Sequence, residues 1–168
     1  VYRPLLSPLG PDEADEGELV ISEAAASDHE QLVAMASTAF ATGRHVLDPR
    51  LDADAGHHRY ARWLDGAFKA DSQVVLKGTV GAATVGFFVV EERADASAYW
   101  HLTAVAPEWQ GQGVGGRMWR SVIARHRVAG VQRIETTVSA HNAPVLNLYA
   151  RLGFRFMLPQ ATFHWWRG

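Results

Sequence analysis

No stretch of this chain narrows its fold as much as the run Val105-Ala106-Pro107-Glu108-Trp109-Gln110-Gly111-Gln112-Gly113-Val114-Gly115-Gly116-Arg117-Met118, with glycine at 111, 113, 115 and 116. An apolar segment, Tyr99–Ala106, runs into it with strand character, and a helical pattern leaves it. Glycines in a strand-to-helix turn let the backbone adopt positive φ and come close to a ligand. Successive N–H groups then face one space, and the helix N-terminus adds a partial positive charge. Such a turn is a cradle for phosphate.

Two spacings compete for this turn. Read as Gly111-x-Gly113-x-x-Gly116 it is a dinucleotide fingerprint, with Glu135 near the position of a ribose-binding acid. Against this, Glu135 falls inside the strand-like run Val131–Val138 rather than at its end. About thirty residues follow it, too few for the rest of a doubly wound sheet. The other strands all precede the turn.

Read as Gln110-x-x-Gly113-x-Gly115, the turn resembles the pyrophosphate loop of the GNAT superfamily of acyl-CoA N-acyltransferases. A second run, Asn142-Ala143-Pro144-Val145-Leu146-Asn147-Leu148-Tyr149-Ala150-Arg151-Leu152-Gly153-Phe154, is similar to the family's later motif, an Asn before a Leu-Tyr pair and a closing Gly-Phe. Val145 stands where that motif usually has Ala. The resemblance covers Ser72 to the C-terminus by motif, and Glu18 to Lys69 by element order. It implies an α/β (α+β) fold with a mixed, mostly antiparallel central sheet flanked by helices. It also implies acetyl-CoA as cosubstrate, a primary amine as acceptor, and no metal.

Composition limits the partners. A chain of 168 residues, 48% apolar and 20% charged, can bury one core. A net charge of −2 provides no basic field for nucleic acid. The chain has no Cys, which excludes disulfides and thiol catalysis and suits the cytoplasm. No apolar run approaches a membrane span. A homodimer is left open.

In chain order, Val1 to Gly17 mixes Pro4, Pro8 and Pro11 with an acidic cluster and reads as a leader or extended arm. One domain, 18–168, follows. Leu19–Ser22 is the first strand. Ser27 or Asp28 caps a helix with Leu32, Val33, Met35, Ala36 and Phe40 at helical spacing. After an irregular stretch, His57–Lys69 is a second helix. Ser72–Thr79 and Ala83–Glu92 form a hairpin, and Ala98–Ala106 extends the meander. Gly113–Ala129 is a helix that Gly130 closes. Val131–Ser139 is a strand, Asn142–Leu152 a short helix, and Phe154–Leu158 with Thr162–Arg167 a last strand pair. The order is β-α-α-β-β-β-α-β-α-β-β.

Acyl transfer to an amine asks four things of a site. The resemblance assigns the pyrophosphate clamp to Gln110, Gly111, Gln112, Gly113, Val114, Gly115 and Gly116. It assigns the groove for the pantetheine arm to free backbone groups of Leu102–Val105, with pairing broken opposite Thr136–Ser139. An N–H of Ala104 or Val105 there could steady the tetrahedral oxyanion. Asn142 would bond the arm, cap its helix, or both. Tyr149 is the candidate acid for the leaving thiolate, against the plainer reading of a core ring behind the cradle helix. His101 is the candidate base, an imidazole suiting neutral pH, with Glu91, Glu92 and a water chain as alternatives. On the acceptor side, Arg44, Asp48, Arg59 and Tyr60 resemble the region that binds nucleotide-linked amino sugars in some members of the family. The plainer reading there is two core helices joined by a polar loop. His57-His58 lacks a third ligand at metal spacing. A non-catalytic acyl-CoA sensor and a protein N-terminal acetyltransferase are the competing functions.

Overall fold

The apolar alternation after Ser72 builds a meander, and the rest of the sheet assembles on it. In the computed structural model, residues 1–5, 19–40, 43, 48, 50, 52–161 and 163 are described. Strands β1 (Tyr2–Pro4), β2 (Leu19–Glu23), β3 (Val74–Val80), β4 (Ala83–Glu92), β5 (Ser97–Val105) and β6 (Arg133–Thr136) form one six-stranded sheet, ordered β1-β6-β5-β4-β3-β2. Every neighbouring pair is antiparallel except β5 with β6. That one parallel step needs a crossover, and the helix after the glycine turn supplies it. The helices are α1 (His29–Thr38), α2 (Ala53–Ala67), α3 (Val114–Val128) and α4 (Ala143–Arg151). The expected mixed, mostly antiparallel architecture is the one observed.

β4 is buried along nearly its whole length because both faces of the sheet are covered. Phe88 and Val90 join Trp100, Met118, Trp119, Ile123, Ile134, Tyr149 and Phe154 in a core that includes α3 and α4. Phe87 and Val89 join Leu32, Ala36, Tyr60, Leu64, Leu102 and Ala104 in a second core that includes α1 and α2. Trp100 and Leu102 are two apart yet belong to different cores. The β4–β5 register explains this: Val89 pairs with Leu102 but Val90 with Trp100, so His101 is an extra residue, a bulge that exchanges the faces of β5.

Several boundaries differ from expectation. Residues 1–5 are an extended arm, but a paired one: Tyr2 faces Glu135 of β6, and Arg3, buried, donates from Nε to the Leu152 carbonyl. Residues 6–17 of the expected leader lie outside the described residues. α2 begins at Ala53 rather than His57, because Asp52 caps it by accepting from the Asp54 N–H. β6 stops at Thr136, short of Ser139. Phe154–Leu158 is not a strand: Arg155 makes an isolated bridge to Tyr2, and Phe156, Met157 and Leu158 pair with no strand among the described residues and are exposed. The expected strand Thr162–Arg167 lies outside the described residues apart from Phe163, which is not in a strand.

Candidate active site

β5 is paired with β4 along its length, but with β6 only as far as Trp100 opposite Thr136. From His101 onward the two strands part, as expected for an inserted extended arm. The Ala106 N–H donates to Val85 on β4. Antiparallel strands alternate their bonding direction. Ala104 therefore also faces β4, while Thr103 and Val105 turn their polar backbone groups into the open wedge. This orientation agrees with the oxyanion-donor expectation at Val105 and not with the one at Ala104, and Thr103, within the expected stretch Leu102–Val105, faces the same way as Val105. Ala104 serves as a buried packing residue.

At the open end of the wedge lies the glycine turn. Gly111 and Gly113 have φ of +74° and +78°, the left-handed region. Gly113 is the N-cap of α3 and brings no side chain to it. The N–H groups of Val114, Gly115 and Gly116 precede any intrahelical acceptor, so they stay uncapped. A Cβ on Gly115 would lie 3.6 Å from Val105 Cγ2, which shows how closely the helix start abuts the strand end. Gln110 and Gln112 spend their side chains inside the turn, donating to the carbonyls of Val105 at 3.0 Å and Glu108 at 2.7 Å. Gln110 also gives its own N–H to Pro107. Both bonds shape the turn. An uncapped, left-handed turn of this kind fits a pyrophosphate.

Tyr149 is 1% exposed, with its ring 4.6 Å from that of Phe154. Its hydroxyl meets the side chains of Trp119, Thr103 and Thr136, the last two from the strands that diverge. Burial pushes the phenol above its ordinary pKa, and these neighbours offset only part of the push. Tyr149 is thus a core ring, the plainer of its two expected readings, with its hydroxyl set against the two strands that diverge. Asn142 caps α4, its Oδ1 accepting from the Val145 N–H at 3.3 Å.

His101 lies at the bulge, with Nε2 2.7 Å from Glu91 Oε2. His101, and then Arg93, holds the Glu91 carboxyl below its usual range. Trp63 of α2, 38% exposed, sets its ring 6.5 Å from His101. The acceptor-side residues do not converge in the same way. Tyr60 is buried and stacked on Phe40 at 4.3 Å, a core position and not the rim expected of it. Arg59 is exposed, and the Asp48 carboxylate accepts from the Arg50 N–H. Arg44 lies outside the described residues. Among the described residues no group of three or more His, Asp or Glu could hold a metal, and no helix is long and apolar enough to cross a membrane.

Residues 43–154 match the family described as Acetyltransferase (GNAT) family. The chain is 30% identical over 131 residues to a mycothiol acetyltransferase of Propionibacterium freudenreichii, an alignment spanning 76% of this chain and 40% of that protein. It is 30% identical over 97 residues to an L-2,4-diaminobutyric acid acetyltransferase of Methylotuvimicrobium alcaliphilum, spanning 56% and 53% of the two chains. The chain thus covers only about half or less of these relatives. In fold it is similar to the PaiA N-acetyltransferase of Thermoplasma acidophilum solved with coenzyme A, with a TM-score of 0.66, 14% identity, and 82% and 90% of the two chains covered.

Proposed function

The chain belongs to the acetyltransferase (GNAT) family, and from that premise we propose that it transfers an acetyl group from acetyl-CoA directly to a primary amine of a small molecule. One observation carries the reading: β5 and β6 separate after Trp100, beside an uncapped glycine turn, and Thr103 and Thr136 of the two parting strands neighbour the Tyr149 hydroxyl. The wedge offers the backbone groups of Thr103 and the N–H of Val105 to an extended arm, as a sheet edge receives an added strand. The N–H groups of Val114 to Gly116 would receive the pyrophosphate.

In this reading His101 takes the proton that the acceptor ammonium must lose. The Thr103 and Val105 N–H groups face the carbonyl oxygen on which charge develops. Tyr149 stays protonated at working pH and donates a hydrogen bond to the leaving thiolate. Its raised pKa makes full transfer to sulfur, whose thiol is ordinarily near 8.5, uphill.

The names of the two relatives, a mycothiol and a diaminobutyrate acetyltransferase, favour a small amine over a protein N-terminus. A nucleotide-linked amino sugar stays a narrower candidate within that class, supported by the sequence of the acceptor-side region and not by a converging arginine pair. The test is thiol release from acetyl-CoA across a panel of amino sugars, diamines, amino acids and short peptides, with product masses. Acceptor-dependent release with an N-acetylated small product is the result expected. Coenzyme binding without turnover on any amine would leave a sensor.

A further inference from the structure

Trp100 is the last β5 residue paired with β6, and His101 follows it as the extra residue of the bulge. Bulges re-aim a side chain next to a site. The imidazole so aimed is 17% exposed and bound through Nε2 to Glu91 at 2.7 Å. Glu91 is itself held, since Arg93 Nε donates to its other oxygen at 3.0 Å. The Arg93 guanidinium in turn lies 4.8 Å over the Tyr99 ring and reaches Glu135 at 3.5 Å. Tyr99 and Trp63 meet the imidazole edge-on at 4.8 Å and 6.5 Å. An isolated surface pair needs none of this support.

We propose that Glu91, anchored by Arg93, is a positioning residue that keeps the proton of neutral His101 on Nε2 and leaves Nδ1 as the base for the acceptor's proton. The inference deepens the activity proposed above and rests on it. An imidazole bonded to a carboxylate through one nitrogen donates there, so the opposite nitrogen carries the free lone pair. The acceptor ammonium gives one proton to Nδ1, and the freed amine forms the C–N bond at the thioester carbon. The C–S bond then breaks, the sulfur leaves with its electron pair, and the second amine proton restores the thiol. The proton on His101 passes to solvent. Glu91 faces the imidazolium while it lasts. Glu91 is a poor base on its own account, because His101 and Arg93 favour its ionised form.

Nitrogen NMR of the His101 ring tests the positioning without turnover. The expected neutral ring carries its proton on Nε2, and Glu91→Ala shifts the population toward Nδ1–H. A ring already protonated on Nδ1, or one unmoved by Glu91→Ala, would overturn the proposal. Kinetics with a working acceptor tests the consequence. Glu91→Gln should lower kcat about tenfold, less than the roughly 10²–10⁴-fold that loss of the general base itself would cost, and hold acceptor KM within about twofold. Glu91→Gln added to His101→Ala should cost nothing further, whereas an additive loss would mean that Glu91 does not act through His101. A wild-type protein that acetylates no amine would defeat the proposed activity, and the NMR result would still decide the tautomer.

Discussion

At the residue scale the account turns on Tyr149. A phenol that acts only while the carbon–sulfur bond breaks shows in kcat and not in ground-state binding. Tyr149→Phe should leave acetyl-CoA affinity within about threefold and lower kcat by roughly 10²–10³, by general-acid magnitudes. Because burial holds the phenol above its ordinary pKa, no alkaline limb from Tyr149 should enter the rate profile below about pH 10. Steady-state kinetics over pH checks both, and full activity in Tyr149→Phe would reduce the residue to packing. Tyr149, Asn142 and the glycines were singled out through the resemblance to the family's two motifs, since each motif is local in sequence. Thr103 and Thr136 were named only for the backbone of the groove, and that their side chains flank the Tyr149 hydroxyl was not legible. Which face of a strand a residue takes depends on every bulge before it, and no local pattern marks the bulge at His101.

At the element scale the glycine turn makes a separable prediction. Gly113 sits in the left-handed region, where Asn and Asp are tolerated better than most side chains. Gly113→Asn and Gly113→Asp share shape and backbone cost and differ in charge. Calorimetry should show acetyl-CoA binding at least about tenfold weaker in the Asp variant than in the Asn variant, because the added carboxylate faces the bound pyrophosphate. Equal affinities, with equal melting temperatures, would mean that no phosphate lies there. The central meander, both long helices and the crossover helix were readable from periodicity and caps. The strand β1 was not, since Tyr2-Arg3-Pro4 carries no strand pattern of its own and is ordered by pairing with β6 and by the bond from Arg3 to Leu152. β6 ended early for the complementary reason: its apolar run continues to Val138, but β5 has already turned away.

At the scale of the whole molecule, two sets of ionisable groups set the pH range of stability. His126 is 1% exposed, and its Nε2 accepts from the Trp100 indole at 3.0 Å, which requires a neutral ring. Burial lowers its pKa, with Glu92 opposing in part. The unfolded chain then binds a proton that the folded chain resists, so stability falls as pH drops below about 6.5, by at most about 1.4 kcal/mol per unit. Thermal melts from pH 7.5 to 5 should show this slope, and His126→Gln should flatten it. The carboxyls of Asp28, Asp65, Glu91 and Asp95 are held below their usual values by their partners. Their contribution is complete above the ordinary carboxylate range and is lost only on further acidification. The central claim is that the parted strands and the uncapped turn receive one extended thioester. Amide hydrogen exchange with and without acetyl-CoA tests it most directly: Thr103, Val105 and Val114 to Gly116 should gain protection together, while Ala104, already turned to β4, should not change. Coenzyme binding that left all of those amides exchanging at their free rates would contradict the account.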